Sequence, residues 1–377
     1  MNRNNRKKPA NSERSRKSRR KWFARLRVFA LLIVLAGSVY GLFSLGGNSV
    51  SELIIDKTRY SQLNVALEET TVESQTNVSG TEEEIIAPDN EVISAMASVP
   101  NPQLKSSYPI EGEINSSYAI VYDVQSDEVL FAKNAEEKCY PASTTKILTA
   151  ALVLEYADAN MQFTAGDELD LVSPESSLAN LNNGSVLDLE MMIDALMLPS
   201  GNDAAYCAAS NIGRVIADNE NLNADKAVKY FVAQMNERLK GIGAENSHFE
   251  NPDGFHDDNH YTTAMDMLKI SLYATQFEGV RNSAAKPSRN VTFLSGEQIY
   301  WENSNKLIHE YSDCYYMYAN GLKTGMTDQA GYCVVATANR FGHDIVVVVL
   351  GGPASDKRWN DTLWLLDQAF SVIRENN

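Results

Sequence analysis

The sequence has little of what holds cross-linked or metal-clamped folds together. Its 377 residues include four cysteines, Cys139, Cys207, Cys314 and Cys333, with no C-x-x-C pair and no zinc-type spacing. Histidines number five; two of them, His256 and His260, stand near Asp253, Asp257 and Asp258, but no H-E-x-x-H accompanies them. Asn251-Pro252-Asp253-Gly254 marks a turn, so this segment reads as a structural loop shaping a wall rather than as a metal site. Eleven prolines and 21 glycines exclude collagen-like and Pro-rich fibres. Hydrophobic residues make up 44% of the chain and charged residues 22%, a balance too apolar for wholesale disorder.

Basic residues are scarce except at one end. Residues 1–27 carry twelve Lys or Arg against the single acid Glu13, a net +11. Residues 28–46 carry no charge, residues 47–105 carry −7, and residues 106–377 carry −20, giving −16 in all. A body this acidic excludes nucleic acid as the general partner. The uncharged run from Val28 to Gly46 would span about 28 Å as a helix, enough for a bilayer core. Arg20, Lys21, Arg25 and Arg27 flank its N-terminal side, so the positive-inside rule puts residues 1–27 in the cytoplasm and everything after 46 outside. A nucleic-acid-binding or nuclear-localisation tail would explain the basic run but not the apolar stretch beside it. A cleaved signal peptide needs a shorter apolar core and an A-x-A-like site; here the best small-residue pair, Ala36 and Ser38, lies in mid-stretch. The reading is therefore a single-pass anchor in the cell membrane, with a secreted, cleaved form as the alternative.

Residues 47–105 are rich in Ser, Thr, Asn and Glu and read as a flexible acidic linker, with a small helix around 91–98. Outside the cell, four cysteines allow three disulfide pairings. The remaining region, 106–377, is large enough to bury a core without them. Cys207 lies in an Ala-rich helical run and Cys333 opens a Val-rich strand, so both read as small buried hydrophobes.

Within 106–377 the spacing predicts a hairpin from Tyr118–Val124 and Val129–Lys133, split by Ser126-Asp127. Helices are predicted over 143–156, 188–197, about 202–216, 225–240 and 263–275, the first of them apolar on one face. Strands follow at 334–338 and 344–350, with a turn over Arg340–Gly342. The final helix, 356–373, should bury Trp359, Leu363, Leu366, Phe370 and Ile373. Strands first and last with helices between predict an α+β sandwich, its sheet joining both ends of the domain around a helical insert.

Three short motifs stand in order along this region: Ser143-Thr144-Thr145-Lys146, Ser200-Gly201-Asn202 and Lys323-Thr324-Gly325. Singly each is weak. A second S-x-x-K (Ser18 to Lys21) lies in the basic tail, and a second S-x-N (Ser288 to Asn290) lies further on. Context gives the first set meaning. Residues three apart share a helix face, so Lys146 lies one turn from Ser143. A serine hydroxyl needs a base to take its proton, and a lysine serves only if burial and neighbouring cations lower its pKa. Ser143 would otherwise be an ordinary helix cap. Ser200 and Asn202 sit on a break between helices that can aim side chains into a cleft. Lys323 and Thr324 are expected on a sheet edge, with Gly325 admitting a substrate backbone.

S-x-x-K, S-x-N and K-T-G in this order resemble the penicillin-recognising serine enzymes. The segments YPASTTKILTA, LMLPSGNDAA, NPDGFHDDNHYTTAMDM and GLKTGMTDQAGYC look like the D-alanyl-D-alanine carboxypeptidases of the low-molecular-mass penicillin-binding proteins, over roughly 116–374. The resemblance implies a β-lactamase/penicillin-binding transpeptidase-like fold, an antiparallel sheet flanked by helices. It implies Ser143 as the acylated nucleophile, Lys146 as its base and Ser200 as a proton relay. Asn202 would hold the substrate amide, and Lys323, Thr324 and Arg358 would face the terminal carboxylate. The backbone amides of Ser143 and Met326 would form the oxyanion hole. Position 326 is Met where the family often has His or Tyr. Some members carry a further β-rich domain and a C-terminal amphipathic helix; here the candidate anchor is N-terminal.

The implied partners are peptidoglycan stem peptides, β-lactam antibiotics and, through the N-terminal helix, the membrane; no soluble cofactor and no metal are implied. A β-lactamase of class A would need a deacylating E-x-x-x-N. The match at Glu278 to Asn282 comes far too late, and Glu237 is followed by Gly241 where Asn should stand. An endopeptidase or transpeptidase using the same site, and a catalytically silent wall-binding sensor, complete the alternatives.

Overall fold

A computed structural model describes residues 99–376, and the expected hairpin is its first regular element. Strand β1 (Tyr118–Asp123) pairs antiparallel with β2 (Glu128–Lys133). A 3-10 turn, Ala142–Thr145, then runs into helix α1 (Lys146–Tyr156). The insert follows: a short strand pair, β3 (Gln162–Thr164) and β4 (Val186–Asp188), then α2 (Leu189–Met197), α3 (Asn202–Ile216), α4 (Ala224–Gly241), α5 (Ala264–Ala274) and α6 (Glu278–Ala284). A hairpin, β5 (Ser288–Thr292) with β6 (Gln298–Glu302), leads to β7 (Ala319–Thr327), β8 (Gly331–Arg340) and β9 (His343–Gly352). Helix α7 (Ser355–Asn376) closes the domain.

The main sheet has five strands in the order β2-β1-β9-β8-β7, antiparallel throughout. First and last strands thus lie side by side, as the strand–helix–strand pattern predicts. The run Ile345–Leu350 is buried on both faces of the sheet, which is why it reads as continuous valine rather than as an alternation. Val346 and Val348 join the core under the helical insert, while Val347 and Val349 join the core under α7. On α7, Trp359, Leu366, Phe370 and Ile373 are buried as expected; Leu363 is only partly buried, and Leu365 and Ala369 complete the face.

Several elements differ from the sequence reading. Helix α1 is not one-sided: every residue from Lys146 to Val153 is buried. It is the central helix, packed against the sheet side and against α2, α3 and α5, and a helix surrounded by protein has no polar face to keep. Strands β8 and β9 are longer than predicted and meet at a tight turn with Phe341 and Gly342 both at positive φ. The β3–β4 pair, α6 and the β5–β6 hairpin are additions; β5 is largely polar, so its sequence carries no strong period. The second S-x-N lies on β5.

The expected anchor at 28–46 and the small helix at 91–98 lie outside the described residues. Among the described residues no helix is long and apolar enough to cross a membrane. Of the segment read as linker, 99–105 is described, and there Pro102 is buried and Val99 packs against the core. Cys139, Cys207 and Cys333 are buried, Cys314 is half-buried, and all four are free thiols.

The insert is held by close helix packing. At Gly213 of α3 an added Cβ would sit 1.9 Å from the carbonyl oxygen of Ala227 on α4. Gly213→Ala must therefore push two helices apart, and a loss of about 3 kcal/mol is expected. Thermal unfolding should show it as a drop of several degrees; an unchanged Tm would show that α3 and α4 part freely.

Candidate active site

The site begins with the backbone before the first motif. Ala142 adopts φ +49, a left-handed conformation that costs a non-glycine residue energy. It starts the 3-10 turn that carries Ser143. In such a turn residues i and i+3 eclipse, and the Lys146 ammonium lies 3.1 Å from Ser143 Oγ. Ser143 therefore belongs to the turn ahead of α1 rather than to the helix itself, and its hydroxyl makes no capping bond.

Lys146 is fully buried and donates three hydrogen bonds: to Ser143 Oγ, to Asn202 Oδ1 at 2.6 Å and to the Asp253 carbonyl at 2.8 Å. These saturate its donors. Burial pushes its pKa down to about 8, against the opposing pull of Asp253 and Asp203. The second motif lies where α2 gives way to α3. Ser200 is buried at φ +61, and Asn202 opens α3. Asn202 Nδ2 donates to Ser176 Oγ at 2.8 Å, and its backbone N–H to the Ser177 carbonyl. Asp203 accepts from the amides of Ala179 and Leu181, pinning the 176–181 loop beside the motif.

The third motif lies on β7, an edge strand, as expected. Lys323 is buried and donates to the Thr324 carbonyl at 3.0 Å. Burial holds its pKa well below the usual lysine value, and the charges of Lys146 and Arg358 add to the effect. Thr324 Oγ1 lies 2.5 Å from Ser304 Oγ, a residue that no sequence motif marks. The Met326 side chain points outward and is more than half exposed, so it leaves only backbone toward the site.

Gly325 has a task that its sequence context does not reveal. A Cβ there would lie 2.9 Å from Ser143 N and 3.0 Å from the Pro141 carbonyl oxygen. Within the protein the close approach is made by the Ser143 turn. It sets the Ser143 amide against the β7 backbone that continues into Met326.

Arg358 is buried rather than on the surface of α7. Its Nη1 donates to the carbonyls of Gly325 (3.3 Å) and Cys333 (3.0 Å), so it sits behind the K-T-G strand. Burial lowers its pKa to about 10. The structure thus brings Ser143, Lys146 and Asn202 into direct contact and sets Lys323, Thr324, Gly325 and Arg358 together on or behind the adjoining strand.

The loop 250–260, read from sequence as a wall, clasps the first motif. The Pro252 carbonyl accepts from Thr149 Oγ1 at 2.6 Å and the Asp253 carbonyl from Lys146. A Cβ at Gly254, where φ is +80, would fall 1.9 Å from the Ala142 carbonyl oxygen. His260 is buried, stacked on Phe249, and its Nε2 lies 2.9 Å from Thr145 Oγ1. Its Nδ1 accepts from the Glu250 amide, so Nε2 carries the proton and donates to Thr145. Thr145 in turn donates to the carbonyl of Ala142 at 2.9 Å. Burial and the neighbouring His248, His256 and Lys146 push the His260 pKa down to about 3, so this chain of bonds stays neutral. His256 and His260 are wall residues, and among the described residues no group of His, Cys, Asp and Glu could hold a metal ion.

A family model described as D-alanyl-D-alanine carboxypeptidase matches residues 103–354, two thirds of the chain and all three motifs. The chain belongs to that family. A D-alanyl-D-alanine carboxypeptidase of a Streptomyces species is 30% identical over 252 residues, covering 64% of this chain and 83% of its own length. The D-alanyl-D-alanine carboxypeptidase DacF of Bacillus subtilis is 27% identical over 257 residues, covering 67% of this chain. The match spans 61% of that relative's length, less than two thirds. Among solved structures, a Streptomyces DD-transpeptidase superposes with a TM-score of 0.63 at 26% identity, covering 70% of this chain and 99% of its own. A Listeria monocytogenes penicillin-binding protein in its ampicillin-bound form gives 0.56 at 26% identity, covering 69% and 99%. The β-lactamase/transpeptidase-like fold expected from the motifs is the one the family shares.

Thr145 is the hinge of the clasp in this family member. Thr145→Val keeps the shape but leaves the His260 N–H and the Ala142 carbonyl without partners, at about 1–3 kcal/mol. Labelling of Ser143 by a fluorescent penicillin should slow about tenfold or more. A rate equal to wild type would show that Ala142 holds its conformation unaided.

Proposed function

We propose that this protein is a serine-type D-Ala-D-Ala carboxypeptidase that removes the terminal D-alanine from peptidoglycan stem peptides and is inhibited by β-lactams. The contact that carries the reading is Lys146 Nζ on Ser143 Oγ, with Asn202 on the same ammonium. Neutral Lys146 takes the proton of Ser143 as the hydroxyl oxygen attacks the carbonyl of the penultimate D-alanine. The Ser143 and Met326 amides stabilise the tetrahedral anion. Ser200 relays the proton to the departing D-alanine, Asn202 holds the peptide amide, and water hydrolyses the acyl-enzyme.

Lys323 and Thr324 receive the terminal carboxylate, and Arg358 adds its charge from behind the strand. The cations gathered around an acidic domain's cleft support an anionic substrate terminus. The same chemistry serves an endopeptidase or a transpeptidase; a β-lactamase and a silent wall-binding protein are less well supported, since no E-x-x-x-N stands at the right spacing and the motif contacts are intact.

The domain is proposed to stand outside the cell membrane, anchored by residues 28–46, with 1–27 in the cytoplasm and an acidic linker before the catalytic domain. The support is the uncharged run and its basic flank.

The full chain in detergent should release D-alanine from a diacyl-Lys-D-Ala-D-Ala peptide. Ser143→Ala should lower release by about a thousandfold or more and abolish covalent penicillin labelling. Labelling that persists at one equivalent would remove Ser143 as nucleophile. The rate of acylation should also depend on pH with a definite sign. Lys146 acts only when neutral, and with its pKa at about 8 the neutral form is the minority at pH 7. The rate should rise up to about tenfold per pH unit below 8 and level off above it; a rate that falls across pH 6–8 would exclude Lys146 as the base.

A further inference from the structure

The acyl-transfer chemistry proposed above leaves one buried group without a task. Asp253 is completely buried. Its Oδ1 accepts from the Phe255 amide at 3.0 Å, while its Oδ2 has no hydrogen-bond partner. A buried carboxylate oxygen without a partner is costly, and such groups call for an explanation. The residue's own carbonyl is bonded to Lys146 Nζ at 2.8 Å. Covalent geometry then keeps the carboxyl within about 7 Å of the ammonium. Water does not screen the pair, because both side chains are fully buried.

We propose that Asp253 sets the pH at which Lys146 becomes a base, its negative charge holding the proton on the ammonium until Ser143 is to be activated. This rests on the reading of Lys146 as the proton acceptor. Other charged groups face Lys146 as well. Asp203, at the start of α3, acts in the same direction as Asp253, and among the acids Asp253 is the larger influence. Lys323 on β7 opposes both. His260 also lies within electrostatic reach, but it is held neutral. The two acids differ in their bonding. Asp203 spends its oxygens on the amides of Ala179, Leu181 and Ala204, whereas Asp253 has one backbone amide on Oδ1 and only the nearby Asn202 side chain beside it. Burial raises the Asp253 pKa overall, while the charge of Lys146, the Phe255 amide and the Asn202 side chain pull in the opposite direction and favour its ionised form. The Asp253 backbone carbonyl touches Lys146, but its carboxylate makes no hydrogen bond to Lys146 or Ser143; the side chain is a positioning group for charge.

The test is the pH dependence of β-lactam acylation in the full chain, measured for wild type, Asp253→Asn and Asp253→Ser. Asn keeps an oxygen for the Phe255 amide and removes the charge. Without the charge Lys146 loses its proton more easily, so the rising limb should move to lower pH, by about one to two units. Both neutral variants should move it in the same direction, because the effect belongs to the charge and not to the shape. A limb that stays in place in either folded variant overturns the proposal. If neither variant folds, Asp253 is structural and the proposal also falls. Wild type that is not acylated at Ser143 at any pH would instead overturn the reading of the site itself.

Discussion

The site is organised by the need to keep one ammonium group dry. An unpaired buried charge costs several kcal/mol, and only full hydrogen bonding offsets it. Lys146 meets this with three acceptors drawn from three separate segments: the turn before α1, the first residue of α3 and the loop at 253. Displacing any one of these segments would leave a donor in an apolar core. The central position of α1 follows, because its first residue must lie where the sheet side, the insert and the loop converge. So does the dense packing of the insert, since α3 must present Asn202 at a fixed depth.

The second constraint is the excess of positive charge behind the cleft. Lys146 and Lys323 are buried, and Arg358 is nearly so, with its charge directed at the carbonyls of Gly325 and Cys333. Carbonyl dipoles soften the repulsion without removing it: burial is the main cause of the low Lys323 pKa, and the charges of Lys146 and Arg358 add to it. A ligand that brings a carboxylate to Thr324 and Lys323 relieves that repulsion, whereas a ligand ending in a neutral amide does not. For the proposed carboxylate-ended substrate, that relief would add to the contacts made by Lys323 and Thr324.

Much of this was legible in the sequence. The S-x-x-K spacing places Ser143 and Lys146 on one face under either helical geometry, and K-T-G falls on the edge strand. The strands β1 and β9 were visible because buried valine and isoleucine runs are short and bounded by turns. What was hidden depends on partners far apart along the chain. His260 reaches Thr145 across 115 residues, and Asn202 reaches Lys146 across 56. Of these four only Thr145 and His260 had no assigned role, since neither type of residue signals a clasp by itself. Ser304 and Ser176 are plain polar residues in loops and carried no local pattern. The packing of Gly325 on the Ser143 turn was hidden because a sequence shows that a backbone must come close, not everything it comes close to.

The choice of alanine at position 142 completes the logic. A left-handed turn before Ser143 invites glycine, which would adopt φ +49 freely, yet Ala142 stands there. The penalty for alanine is about 1–2 kcal/mol. Glycine would escape it but would leave the turn free to unwind, moving Ser143 Oγ away from Lys146. Alanine instead narrows the turn's alternatives, and the surroundings hold the strained form: Gly254 under its carbonyl, Thr145 and His260 bonded to it in series, and Gly325 leaving room where a side chain would come within 3.1 Å of the Ala142 methyl. Ser200, also left-handed at φ +61, stands at the opposite motif. Two strained, non-glycine positions on either side of one lysine are the mark of a site whose geometry is imposed by the fold before any substrate arrives.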